Sequence, residues 1–196
     1  MTDRETIDVY NAKADDYAAI ETLDAPSETL SEFIAGLAKG GRVLDLGCGP
    51  GKSARHMARS GLVVDAWDAS DAMVAMASQI EGVEARRAQF ADLDVKATYD
   101  GIWANFSLLH AAKRDLPGHL AAIHRALKPG GLFHVGLKEG DGEKRDKLGR
   151  FYSYYSVPEM TQLLEQHGFS CGPVRQGRDK GLDGSIAPWF SLTAYA

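Results

Sequence analysis

The sequence predicts an α/β fold: a doubly wound, mostly parallel sheet with helices on both faces. Three observations carry this. Short apolar runs stand at 43–46, 62–67, 99–104 and 132–137, with the length and composition of buried strands. Amphipathic stretches of helical spacing separate them, so strand and helix alternate and the strands should run parallel with right-handed crossovers. The run at 43–46 passes directly into glycines at 47, 49 and 51 and then into a helical stretch. A loop at the carboxyl end of a strand is where such sheets bind ligands.

The elements follow in order. Ile7, Tyr10, Ala14 and Tyr17 fall on one helix face. A second helix follows Pro26, with Leu30, Phe33, Ile34 and Leu37 inward, and stops at Gly40-Gly41. After the first strand, a helix over 52–60 is closed by Gly61, and the second strand covers 62–67. Ser70 can cap the next helix, with Asp71 favourable in its first turn and Met73, Met76, Ala77 and Ile80 as its stripe. Strands are read at 83–87 and 99–104. Leu116, Leu120, Ile123 and Leu127 mark a helix ending at Pro129-Gly130-Gly131, followed by a strand at 132–137. Residues 138–150 hold nine charged residues and three glycines in thirteen, an exposed loop. Ser156 and Glu159 fit a capping box for a helix carrying Met160, Leu163 and Leu164, which ends at Gly168. The stretch 189–195 reads as the last strand.

At 196 residues and 44% hydrophobic side chains, the chain has the size of one domain. Within that single domain, 1–196, we expect an N-terminal helical cap over 1–38 and a mobile loop or lid over 138–155. The net charge of −5 argues against a chain-wide nucleic-acid footprint. No apolar run approaches the ~20 residues of a membrane span, and the start lacks the apolar core of a secretory signal. Cys48 and Cys171 form no CxxC, so neither a disulfide framework nor structural zinc is indicated. The expectation is a cytoplasmic protein with no metal. The sequence assigns no oligomeric state.

Three readings compete for VLDLGCGPG (43–51). A phosphate-wrapping GxxxxGK[ST] loop needs glycine where Leu46 stands before Gly51-Lys52-Ser53. A dinucleotide GxGxxG needs its third glycine where Lys52 stands. The third reading is by likeness: the stretch closely resembles the first motif of class I S-adenosylmethionine (SAM)-dependent methyltransferases. Asp68 stands 19 residues after Gly49 at the end of the second strand, where a carboxylate can accept from both ribose hydroxyls. Asp65 is the rival acid, but its mid-strand position suits a buried partner. Residues 68–73 resemble the family's D-x-S-x-x-M, 99–110 its fourth strand and following loop, and 128–133 its turn into the fifth strand. The resemblance covers roughly residues 40–140, nearest the small bacterial methyltransferases of type 11 and type 12.

The resemblance implies a Rossmann-like sheet whose last strand is antiparallel, with SAM as cofactor. It implies cofactor contacts from Asp45, Gly47, Cys48, Gly49, Asp68, Ala69, Met73, Gln89, Phe90 and Asn105, and from Tyr17 of a covering N-terminal helix. Gln89 stands where the family often carries an acid that contacts adenine; Asp92 is the alternative, and Phe90 either packs on the ring or is plain core.

Methyl transfer is a direct displacement in which the cofactor carries the reactive group, so no nucleophile or metal is required. His110 follows the fourth strand and is the candidate general base; its other reading is a helix start or a hydrogen bond to backbone. His119 and His124 read as surface and His134 as structural. Tyr10, Lys138, Arg150, Tyr152, Tyr154 and Tyr155 could line a pocket for a flat or anionic acceptor, or the tyrosines could be an edge packed under a loop. The expected partner is a small-molecule methyl acceptor. A methyltransferase for RNA or protein, or a SAM-binding protein without catalysis, remain alternatives.

Overall fold

The computed structural model describes residues 3–19 and 25–196; residues 1, 2 and 20–24 of the expected cap lie outside them. The chain opens with helices α1 (Arg4–Ala12), α2 (Ala14–Ala19) and α3 (Glu28–Ala35). Then come β1 (Arg42–Leu46), α4 (Lys52–Arg59), β2 (Val63–Asp68), α5 (Asp71–Ala77), β3 (Val83–Arg87) and β4 (Tyr99–Asn105). Next are α6 (Leu116–Ala126), β5 (Leu127–Lys138), β6 (Glu143–Arg145), β7 (Phe151–Ser153), α7 (Val157–Gln166), β8 (Ser170–Lys180) and β9 (Ile186–Tyr195).

Seven strands form one sheet in the order β3-β2-β1-β4-β5-β9-β8. β1, β2, β3, β4 and β5 pair in parallel, and β9 lies antiparallel between β5 and β8. The order reverses between β1 and β4, so the loops after these two strands part and leave a crevice at their carboxyl ends.

Alternation along the strands divides the core in two. Val43, Val64, Ala66 and Trp103 point to the face covered by Leu30 and Phe33 of α3 and by Ala54 and Met57 of α4. Leu44, Leu46, Ile102, Ala104, Phe133 and Val135 point to the face covered by Leu116, Leu120 and Ile123 of α6 and by Met160 and Leu164 of α7. Thus α3, expected in the cap, belongs to the sheet's flank. Helices α1 and α2 stand at the crevice, α1 against α5.

Four expectations are corrected. The first helix breaks at Lys13, which leaves helical geometry with φ −119° and ψ 24°. Helix α6 ends at Ala126, and β5 begins at Leu127, running through Pro129 to Gly131 with an irregular register against β4. The charged stretch 138–150 is not all loop: Glu143–Arg145 pairs with Phe151–Ser153 as a hairpin. Strand β8 was not anticipated. It carries Gly172, Pro173 and Gly177, and its register slips between Cys171 and Val174. An edge strand tolerates what an inner strand excludes.

Candidate cofactor and acceptor site

The glycine loop is tied into the protein by its own backbone. Gly47 and Cys48 both donate N–H to the carbonyl of Trp67, at 2.7 and 2.9 Å. Gly49 N–H donates to Asp68 Oδ2 at 2.9 Å, and Gly51 N–H to the carbonyl of Cys48 at 3.0 Å. Pro50 has no N–H. A phosphate cradle works by aiming free backbone N–H groups at the anion, and here every one from Gly47 to Gly51 is already used. Gly47 is held at φ +81°, and a Cβ there would lie 2.2 Å from that of Ser107. The loop can therefore press against the turn after β4 only as glycine.

Two buried carboxylates border this loop. Asp68 accepts from Gly49 N–H at Oδ2 and from Ser70 N–H at Oδ1, each at 2.9 Å. Each oxygen keeps a lone pair for a further donor. Burial pushes its pKa up. Asp45, at 2% exposure, accepts from Ala54 N–H, and its Oδ2 is buried without a partner among the described residues. Burial pushes its pKa up to about 7. A ligand with paired hydroxyls and a positive charge fits these acids; a pyrophosphate would be repelled by them. These acceptors therefore fit SAM. The rival Asp65 is occupied, accepting from Arg42 Nε and Nη2 at 2.9 and 3.0 Å.

The Asp45 pKa gives a stability test. An acid that titrates near 7 folded and near 3.8 unfolded destabilises the ligand-free fold progressively as pH rises between those values. Asp45→Asn removes that titration. The ligand-free variant should be more stable than wild type at pH 8, by at most about 4 kcal/mol, and equal to it near pH 4. Urea unfolding at both pH values checks this; equal stability at pH 8 contradicts it.

After β4 the backbone turns sharply. Phe106 has φ 55°, its N–H held by the Gly136 carbonyl at 2.9 Å. A bulky residue in the left-handed region marks strain maintained by its surroundings. Ser107 Oγ donates to the Leu46 carbonyl at 2.5 Å. Asn105 Oδ1 accepts from His134 Nε2 at 3.1 Å, and the His134 ring stacks on Trp103 at 3.6 Å.

His110 is in the wall but not free. Nδ1 lies 2.6 Å from the Phe151 carbonyl, which can only accept, so Nδ1 carries the hydrogen. Nε2 then accepts from the Tyr10 hydroxyl at 2.8 Å. Tyr10 Oη in turn accepts from Arg150 Nη1 at 3.0 Å, and Arg150 Nε and Nη2 donate to Asp146 Oδ2 at 2.9 and 2.7 Å. Burial pulls the His110 pKa down to about 4. The imidazole is neutral at pH 7 with both nitrogens engaged, the backbone-bonded alternative of the sequence reading.

The same chain of contacts binds α1 to the β6–β7 hairpin. Arg145 pairs with Asp3 at 2.8 Å and Glu5 at 3.2 Å, and Phe151 N–H donates to Thr6 Oγ1 at 2.8 Å. Asn11 Oδ1 accepts from Ser70 Oγ and Ala72 N–H, pinning α1 to the start of α5. Tyr17 lies over the glycine loop, 3.5 Å from where a Gly49 Cβ would stand.

Two adjoining clefts, open to solvent, meet above Gly47 and Gly49. The first is walled by Gly47, Gly49, Asp68, Ala69, Met73, Gln89, Phe90, Asn105, Tyr10, Tyr17 and His110. The second is walled by Asp45, Cys48, Lys138, Arg150 and Tyr152, and shares Tyr10, Tyr17 and Asn105. Three predicted residues are not in these walls. Asp92 turns back to accept from Gln89 N–H at 2.7 Å, capping its own turn. Tyr154 packs against Gly140 under Lys144, and Tyr155 is buried with Lys113 over its ring. Of the other histidines, His134 is buried as expected, while His119 and His124 are half-buried against Phe90 and Phe169. Sequence reading missed Thr6, Ser70, Phe106 and Trp189, all wall residues. Ser70 alone had a signal, as the cap of α5.

Comparison with known proteins bears on the family. The family profile described as a methyltransferase domain matches residues 43–131. The O-methyltransferase rstn1 of Aspergillus nomiae is 30% identical over 179 residues, covering 79% of this chain and 77% of its own. The O-methyltransferase resE of Aspergillus sclerotiorum is 27% identical over 175 residues, again 79% of this chain. The chain spans 66% and 50% of the length of the first two curated relatives it matches. In fold it is similar to the Burkholderia thailandensis 1,6-didemethyltoxoflavin-N1-methyltransferase, solved with that compound and S-adenosylhomocysteine. The TM-score is 0.78 at 24% identity, covering 97% of this chain and 87% of that one. Strand order, a glycine loop that spends its N–H groups internally, two buried acids beside it and these likenesses converge: the chain belongs to the class I SAM-dependent methyltransferase family.

Proposed function

We propose that this protein transfers a methyl group from SAM to a small-molecule acceptor by direct displacement. The observation that carries the reading is the glycine loop without free N–H groups, bordered by Asp68 and by Asp45 with its unpartnered oxygen. Similarity to O-methyltransferases supports it. When bound, SAM supplies the electrophilic methyl group.

The chain's own residues then have these roles. Asp68 accepts from the ribose hydroxyls while Gly49 and Ser70 hold its orientation. Asp45 and Cys48 face the positively charged end, and Gly47 and Gly49 admit it without a Cβ in the way. Gln89 and Phe90, with Ala69 and Met73, enclose the adenine. Tyr10, Tyr17 and Asn105 stand where the two clefts join, and Lys138, Arg150 and Tyr152 receive the acceptor. Positioning of this kind lowers a displacement barrier by roughly 7–11 kcal/mol. His110 acts through Tyr10 as a positioning residue: protonating an imidazole of pKa about 4 at pH 7 is unfavourable, so it is a poor store for an acceptor's proton. This suits acceptors that are nucleophilic without a base.

Residues 3–19 and the β6–β7 hairpin form the lid, joined by Arg145 to Asp3 and Glu5. Trypsin should cut near Lys144, Arg145 and Lys147, and S-adenosylhomocysteine should slow that cutting several-fold. Cleavage at the same rate with and without ligand contradicts the lid. The site of action on this reading is the cytoplasm, in keeping with two unpaired cysteines; no described helix is long and apolar enough to cross a membrane.

The deciding experiment is incubation with methyl-labelled SAM and a mixture of small metabolites, RNA and protein. Label in a low-mass product, with one S-adenosylhomocysteine formed per methyl, supports the proposal. Label in RNA or protein redirects it, and binding with no turnover points to a non-catalytic SAM-binding protein.

A further inference from the structure

The second cleft holds a cation that no carboxylate touches among the described residues. Arg150 is neutralised by Asp146 and buried with it. Lys138 ends β5 at the cleft wall, half-buried, with Nζ 4.3 Å above the ring of Tyr152. Among the described residues no carboxylate lies within 4 Å of that Nζ; Asp183 and Asp146 act on it only at longer range. Of the other acids near it, Asp45 sits at the glycine loop and Asp179 is exposed at the rim. Lys180, also on the rim, carries a further positive charge. Arg150 and Lys144 add to the positive potential at Lys138.

A half-buried ammonium that has lost water without gaining a carboxylate is under-solvated, and burial pushes its pKa down. An incoming anion restores what burial removed. Beside it the cleft has apolar side chains: Trp189, the partner of Lys138 across β5 and β9, lies edge to face with Phe106 at 6.0 Å, and Leu109 and Leu182 line the same cleft. Such a cleft takes a molecule with an apolar body and one anionic end.

We propose that the methyl acceptor is a small organic acid whose carboxylate pairs with Lys138 Nζ and whose apolar body lies against Phe106 and Trp189. This deepens the methyl-transfer reading and rests on it.

The test uses acid and amide pairs of the same shape: phenylacetate with phenylacetamide, and 4-hydroxybenzoate with 4-hydroxybenzamide. Each is titrated into protein saturated with S-adenosylhomocysteine, for wild type, Lys138→Arg and Lys138→Met. The acids should bind at least fivefold more tightly than the amides in wild type and in Lys138→Arg. In Lys138→Met the preference should fall to about one, with S-adenosylhomocysteine affinity and thermal unfolding near wild type. An acid-to-amide ratio of one in wild type, binding of neither member of either pair, or an undiminished ratio in Lys138→Met overturns the proposal. Failure of wild type to bind S-adenosylhomocysteine would instead overturn the methyl-transfer reading. An acid preference that vanishes in Lys138→Met, measured without that ligand, would still stand.

Discussion

Gly47→Ala should yield a protein that neither folds stably nor binds cofactor. Its Cβ would stand 2.2 Å from Ser107 Cβ and 2.9 Å from Oγ, in a backbone conformation at φ +81°. The left-handed conformation costs a non-glycine residue roughly 1–2 kcal/mol, and overpacking typically adds about 1–3 kcal/mol. Ser107 cannot retreat cheaply, because its Oγ is bonded to the Leu46 carbonyl and its carbonyl accepts His110 N–H. Gly49→Ala is the comparison: its Cβ would meet only Tyr17 at 3.5 Å, an ordinary contact, so it should cost the conformational strain alone. Ser107→Gly should partly rescue Gly47→Ala in chemical denaturation. Equal stability of Gly47→Ala and Gly49→Ala would refute the packing argument.

Asp68→Ala should weaken binding of SAM and S-adenosylhomocysteine by a hundredfold or more. Loss of a charged hydrogen bond to the ribose is worth roughly 1.5–3 kcal/mol. The same change strips Gly49 and Ser70 of their acceptor, so the loop loosens as well. This carboxylate's grip on two backbone N–H groups cannot be read from spacing. Asp65→Ala should instead lower stability by about 1–2 kcal/mol without a direct effect on affinity, since it unpairs a half-exposed Arg42. Isothermal titration and urea unfolding on the same samples separate the two effects.

What was legible in the sequence was set by local physics. Strands β1, β2, β4 and β5 are apolar because both of their faces are covered, and glycines or a cap residue mark their ends. The glycine loop and Asp68 share one crevice because 19 residues suffice for one helix and one strand that returns parallel to β1. Other features depend on distant partners. Strand β8 is held by β9 despite its glycines and proline. The hairpin at 143–153 is charged on its outer strand and kept in place by Asp3, Glu5 and Thr6, some 140 residues away. Tyr152 was distinguishable from Tyr154 and Tyr155 only by the direction of its ring. His110 was legible as a wall residue, but the hydrogen bonds that occupy it come from α1 and β7. Trp189 was read as the start of a strand, and nothing local marked it as a wall of the second cleft.

The central claim is that the loop at 47–51 is built for a positively charged nucleoside and not for a pyrophosphate. Calorimetric titration of the wild-type protein with SAM, S-adenosylhomocysteine and NAD tests it directly. The expected result is saturable one-to-one binding of SAM and S-adenosylhomocysteine, with no comparable heat from NAD. Tight binding of NAD with none of SAM would contradict it.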